Sequence, residues 1–155
     1  MKETGSNVRY RPIAPPDYPI VAGLITQLYE EDPADVPVTQ EKIERTFAEL
    51  VAHPDKGTIL AFEKGAEIVG YSILVNFWSN EFGGNVLTID ELFVAREFRG
   101  RGIASDFIRY LSASKFNDAV VLELGVTPRN ARARKLYEKL GFSTCKNESL
   151  HIKLG

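Results

Sequence analysis

The sequence predicts an α/β (α+β) fold, a central mixed sheet with helices on both faces. Three features carry that expectation. Val86 to Val126 reads strand–helix–strand, a unit whose strands run parallel with a right-handed crossover. Thr58 to Glu63 and Glu67 to Phe77 are rich in β-branched and aromatic residues and meet at Lys64-Gly65-Ala66, as an antiparallel hairpin does. Apolar residues at helical spacing recur before and after these strands, which supplies cover for both faces.

Taken in order, Val8 to Ile13 alternates apolar and charged residues and reads as a first strand, ended by Pro15 and Pro16. Asp17 is placed as the N-cap of a helix whose stripe is Ile20, Val21, Leu24, Ile25 and Leu28. An acidic, proline-bearing loop follows, with Glu30, Glu31, Asp32 and Asp35. Thr39 starts a second helix, with Ile43, Phe47, Leu50 and Val51 on its apolar side. After the hairpin, Asn80 to Asn85 is a Gly-rich turn and Val86 to Ala95 a strong strand. Ile103, Phe107 and Leu111 share one face of a helix from Gly102 to Ser114. Ala119 to Val126 is an almost continuous apolar strand broken by Glu123. Asn130 to Leu140 is a helix closed by Gly141, and Phe142 to Cys145 with Ser149 to Leu154 reads as a closing hairpin. No repeat or linker interrupts the chain, so residues 1–155 are expected to form a single domain.

Composition narrows the function. The chain has 155 residues, 44% hydrophobic and 26% charged, which excludes wholesale disorder. A net charge of −2 disfavours a net-basic nucleic-acid binder. One cysteine, Cys145, forbids a disulfide framework, and two distant histidines, His53 and His151, argue against a metal site. No apolar run is long enough to span a membrane. Met1 to Asn7 is polar and lacks the apolar core of a signal peptide, so the expected location is cytoplasmic.

Two motifs carry chemistry. Arg99-Gly100-Arg101-Gly102-Ile103-Ala104 follows a strand and opens a helix. Two glycines let the backbone approach a ligand, and the unpaired N–H groups of a first helical turn favour an anion such as a phosphate. No Gly-Lys-Ser/Thr follows, as a P-loop requires. A dinucleotide fingerprint fails too, because its third small residue would be Ser105 and no parallel βαβ unit opens the chain. The second motif runs from Asn130 to Phe142. Asn130 suits an N-cap; Asn130, Ala133 and Tyr137 share a face; Gly141 suits the left-handed position after a helix, with Phe142 folding back.

A strand, R-x-x-G-x-A, a helix, a strand and then N-x-x-A-x-x-x-Y-x-x-x-G-F resembles the GNAT acyltransferase superfamily, whose members bind acetyl-CoA. The likeness implies that Arg99, Gly100, Arg101, Gly102, Ile103 and Ala104, with Ser105, cradle the CoA pyrophosphate. It implies that Leu92, Phe93 and Val94, on a bulged strand that splays from its parallel neighbour, pair with pantetheine. It implies that Asn130 contacts the cofactor arm, with Ala133 beside it, and that Tyr137 serves the leaving thiolate. Asp90-Glu91-Leu92-Phe93-Val94 also resembles the acidic strand of the diamine and polyamine N-acetyltransferases.

The reaction so implied is direct attack of a primary amine on the acetyl thioester. The acceptor is a small molecule of the polyamine or amino-acid type, with a peptide acceptor or a non-catalytic acyl-CoA-binding module as alternatives. An alkylamine has a pKa near ~10.4 and must shed a proton. Asp90, Glu91 and Glu123 are the candidate bases, and a bulge would decide which of the first two faces the acceptor. Tyr137 is expected to act on sulfur as a hydrogen-bond donor, since an unperturbed phenol near ~10 is a weaker acid than a thiol near ~8.5. Trp78, Phe77 and Phe82 are placed at a loop edge, as pocket wall, core or dimer contact. The resemblance adds homodimers as a common assembly. Neither a metal, a nucleic acid nor a membrane is expected as partner.

Overall fold

A computed structural model describes residues 7–155; residues 1–6, which hold most of the polar N-terminal stretch, lie outside them. The chain divides into two compact units, Met1–Gly125 and Val126–Gly155.

The first unit is a five-stranded sheet in the order β1-β2-β3-β4-β5, formed by β1 (Arg9–Pro12), β2 (Gly57–Lys64), β3 (Glu67–Ser79), β4 (Gly84–Val94) and β5 (Ala119–Leu124). The β1–β2, β2–β3 and β3–β4 pairs are antiparallel, and β4–β5 is parallel. The parallel pair flanks α3 (Ile103–Ser114), as the strand–helix–strand reading requires. Helices α1 (Tyr18–Glu31) and α2 (Gln40–Ala52) precede β2.

Strand alternation sorts the core into two layers. Ile59 and Ala61 of β2 join Tyr71, Ile73 and Phe93 in one cluster with Val21, Leu24 and Ile25 of α1 and Ile43 and Phe47 of α2. Phe62, the next residue along β2, turns to the other face. There it meets Phe107 of α3 at 4.6 Å and Tyr10 at 5.1 Å between ring centroids. Each such aromatic side chain, once buried, contributes roughly 1.5–3 kcal/mol.

The second unit holds α4 (Ala131–Lys139). Asn130 Oδ1 accepts from Ala133 N–H at 3.2 Å, which makes it the N-cap expected. At the other end Gly141 takes φ 101°. Phe142 N–H donates to Tyr137 C=O at 3.0 Å, and Gly141 N–H to Glu138 C=O at 3.1 Å. Phe142 also packs edge-on against the Tyr137 ring at 5.9 Å. That bond pair and apolar contact are the Schellman closure.

Four expectations need correction. The closing hairpin does not form: 142–155 contains no strand. Leu150, Ile152 and Leu154 are 94%, 82% and 92% exposed, so their alternation has no apolar face to bury, and an unsupported two-stranded hairpin is marginal in water. Cys145, expected in that strand, is exposed. Asp17 occupies the N-cap position of α1, as expected, but its side chain makes no capping bond. Its carboxylate is held by Arg11 Nη1 at 2.7 Å, Arg11 Nη2 at 3.0 Å and Ala14 N–H at 2.8 Å, and a bidentate guanidinium outcompetes a lone amide. Ile20 and Val51 lie outside the apolar stripes of their helices and are exposed, while Ala22 is buried in α1.

Candidate active site

The β3–β4 register places the bulge. Ile73 pairs with Glu91 and Leu74 with Ile89, so Asp90 is an extra residue without a partner in β3. On the other side of β4, the parallel ladder ends at Ile89↔Leu124. From Asp90 to Val94 that edge has no ladder partner among the described residues. Ala95 donates its N–H to Val69 C=O, so two-residue alternation turns Phe93 toward β3 and leaves Leu92 and Val94 facing the open edge. The bulge implied for this strand is present, and the β4–β5 pairing ends beside it.

The bulge makes the two carboxylates unlike. Glu91 is half-buried on the α1 side: Tyr29 O–H donates to Oε2 at 2.6 Å, and Tyr71 O–H to Oε1 at 2.7 Å. Ser72 Oγ pins the Glu91 carbonyl at 2.8 Å. Burial pushes the Glu91 carboxyl up, the two phenols pull it back, and the charge of Asp90 pushes it up again. Asp90 is exposed, yet the surrounding protein withdraws enough water to raise its carboxyl above the ordinary range. Among the described residues no hydrogen bond reaches it, so it retains full capacity to accept a proton. Glu123 sits on β5 opposite Thr88, one residue before the ladder ends, and is exposed.

Beyond β4 the chain enters the start of α3. Gly100 and Gly102 have φ of 77° and 78°, a region that penalises any side chain. A Cβ built on either meets nothing within 4 Å, so the space before both is open. Gly102 is the N-cap and offers no side chain. The first intrahelical bond runs from Asp106 N–H to Gly102 C=O, which leaves the amides of Ile103, Ala104 and Ser105 without a helical acceptor. Ile103 is buried, so its side chain belongs to the core. Open space, glycine backbone and three outward donors fit a diphosphate.

The two arginines of the motif are already engaged. Arg99 donates through Nη1 and Nη2 to the two carboxylate oxygens of Glu31, both at 2.8 Å, and through Nε to Val94 C=O at 2.9 Å. Its guanidinium lies over the Phe93 ring at 5.0 Å. Arg101 donates to Glu97 C=O at 3.3 Å and lies over Phe98. Arg99 thus ties α1, the β4 edge and the glycine loop together.

In the second unit, α4 carries Asn130, Ala133 and Tyr137 at the expected spacing. The Asn130 carbonyl oxygen is used in capping, which leaves its amide donors. Burial pushes the Tyr137 phenol above its ordinary value, so it keeps its proton at neutral pH.

Two residues outside the sequence reading join the site, Tyr29 and Tyr71. Only their meeting with Glu91, 62 and 20 residues away, marks them. Phe77, Trp78 and Phe82 are 61%, 71% and 54% exposed, hence surface and not core. Among the described residues no three His, Cys, Asp or Glu side chains gather to hold a metal ion, and no helix is long and apolar enough to cross a membrane.

The mixed five-stranded sheet and its helices match the acyl-CoA N-acyltransferase fold. The family model described as "Acetyltransferase (GNAT) family" matches residues 23–142, and the chain belongs to that family, whose acyl donor is acetyl-CoA. Three solved structures share its fold. A possible acetyltransferase from Clostridium difficile 630 superposes with a TM-score of 0.82 at 21% identity, over 95% of this chain and 97% of the other. The aminoglycoside N-acetyltransferase AAC(6')-Iy in complex with CoA gives 0.75 at 17%, over 98% and 97%. Ribosomal-protein-alanine N-acetyltransferase from Brucella melitensis biovar Abortus 2308 gives 0.72 at 19%, over 96% and 99%. A comparison with curated proteins gave no match.

Proposed function

We propose that this chain transfers the acetyl group of acetyl-CoA to a primary amine of a small molecule, with residues 1–155 acting as one transferase domain. The carrying observation is the coincidence at Asp90 of the bulge and the end of the β4–β5 ladder, next to the open start of α3. Acetyl-CoA supplies the activated acetyl group and the leaving thiol. The amides of residues 103–105 hold its diphosphate, with Gly100 and Gly102 admitting it; Leu92 and Val94 offer backbone groups to its amide-bearing arm. The family resemblance assigns Asn130 and Ala133 to that arm as well. Arg99 and Arg101 act by holding the loop and strand edge in place.

Asp90 takes the proton that the ammonium must lose. Its raised pKa brings it closer to the operating pH than an ordinary carboxylate, and no other group competes for its lone pairs. Glu91, fully engaged by phenols, is the second carboxylate of the site. Tyr137 stabilises the departing sulfur with a hydrogen bond. A small-molecule acceptor is favoured by the run Asp90-Glu91, which suits a cationic amine; the same fold serves an aminoglycoside enzyme and a ribosomal-protein enzyme, so fold alone does not choose.

The test is release of free thiol from acetyl-CoA with polyamines, amino acids, aminoglycosides and peptides offered in turn. Turnover with a small amine supports the proposal. Turnover with peptides alone reassigns the acceptor. Tight acetyl-CoA binding without turnover of any acceptor makes the chain a binding module.

A further inference from the structure

The clamp on Glu91 comes from two different layers. Tyr71 is fully buried in β3 and belongs to the sheet. Tyr29 sits in the last turns of α1, half-buried, and reaches Oε2 from outside the sheet. Each carboxylate oxygen therefore already accepts one phenol, while neighbouring Asp90 accepts none.

We propose that Tyr29 is a positioning residue that assigns the proton-accepting role: by occupying Glu91 Oε2 it withdraws Glu91 from the reaction and leaves Asp90 as the acceptor. This rests on the acetyl-transfer reading above. The groups acting on Glu91 are Asp90 on its own strand, Tyr71 on β3 and Tyr29 on α1. Asp32 adds its field at Tyr29, and the nearby Glu31 is neutralised by Arg99. Burial and the carboxylates of Glu91, Asp90 and Asp32 hold the Tyr29 phenol well above its ordinary value, so it remains a donor across the working pH range. A carboxylate stabilised by two donors is a weaker base than the same group with one.

Tyr29→Phe keeps the ring and removes the donor. Carboxyl-carbon NMR should then find Glu91 titrating at higher pH than in the wild type, a readout that needs no turnover. In kinetics, Asp90→Asn should lose about 10²-fold in kcat, and Tyr29→Phe/Asp90→Asn should recover about tenfold of it, because Glu91 has been released. Glu91→Gln, which preserves shape, should retain the acid limb of the pH–rate profile. An unmoved Glu91 titration, a double variant no faster than Asp90→Asn, or loss of the acid limb in Glu91→Gln would each overturn the assignment. Absence of turnover with every acceptor defeats the acetyl-transfer reading alone, and the NMR shift then decides the role of Tyr29.

Discussion

Gly102 offers the sharpest test of the anion site at the start of α3. Its φ of 78° costs an L-residue roughly 1–2 kcal/mol, yet a Cβ there meets no atom within 4 Å. Gly102→Ala should therefore destabilise by that backbone amount only, a fall in Tm of roughly 2–8 °C for a chain of this size. Its methyl group would nonetheless occupy the space assigned to the diphosphate. Gly102→Glu adds a negative charge at the same place. At about 5 Å and an effective dielectric of about 20, one unit of like charge costs about 3 kcal/mol, or roughly two orders of magnitude in affinity. Calorimetric titration with coenzyme A, paired with a thermal melt, separates the two effects. Gly23 provides the control: it lies in α1 with open space around it, and Gly23→Ala should raise stability by about 1 kcal/mol and leave CoA affinity unchanged. A folded Gly102→Glu protein that binds CoA as tightly as the wild type would refute the site.

Tyr137→Phe should lower kcat by about 10²-fold with the dissociation constant for CoA preserved, as single-turnover kinetics and calorimetry would register. Asp90→Asn should trade activity for stability. The folded-state pKa of Asp90 is raised, so the folded protein holds an extra proton just above the ordinary carboxylate range, and the cost of ionising Asp90 appears as pH rises through that window. The amide variant should thus melt higher than the wild type at neutral pH and equally at acid pH. Asp17 has the opposite sign: hydrogen bonds from Arg11 hold its carboxyl low, so its contribution is present at neutral pH and is lost as pH falls below the ordinary range. Asp17→Ala should cost about 2 kcal/mol at neutral pH by urea denaturation, and progressively less on acidification.

Elements set by local pattern were legible in the sequence. The β2–β3 hairpin, the Thr39 cap and the closure of α4 at Gly141-Phe142 follow from residues close together in the chain, and the parallel β4–β5 pair follows from the strand–helix–strand order around α3. The terminal hairpin misled because alternation at Leu150, Ile152 and Leu154 specifies a strand only where a sheet exists to receive it. At the site, the glycine loop was readable and the duty of its arginines was not. Arg99 next to glycines suggests an anion, but Glu31, 68 residues earlier, takes the guanidinium. The division between Asp90 and Glu91 was equally hidden, since it depends on one inserted residue in the register and on a tyrosine brought by α1.

The tip of the β3–β4 hairpin has a practical consequence. Trp78 is the chain's one tryptophan and stands 71% in solvent. At that exposure its native emission should resemble that of a denatured chain, so indole fluorescence should follow loss of structure poorly, and circular dichroism is the better monitor for the melts above. The same residue becomes a sensitive optical reporter for any molecule that settles over the hairpin, because a blue shift can then come only from newly excluded water.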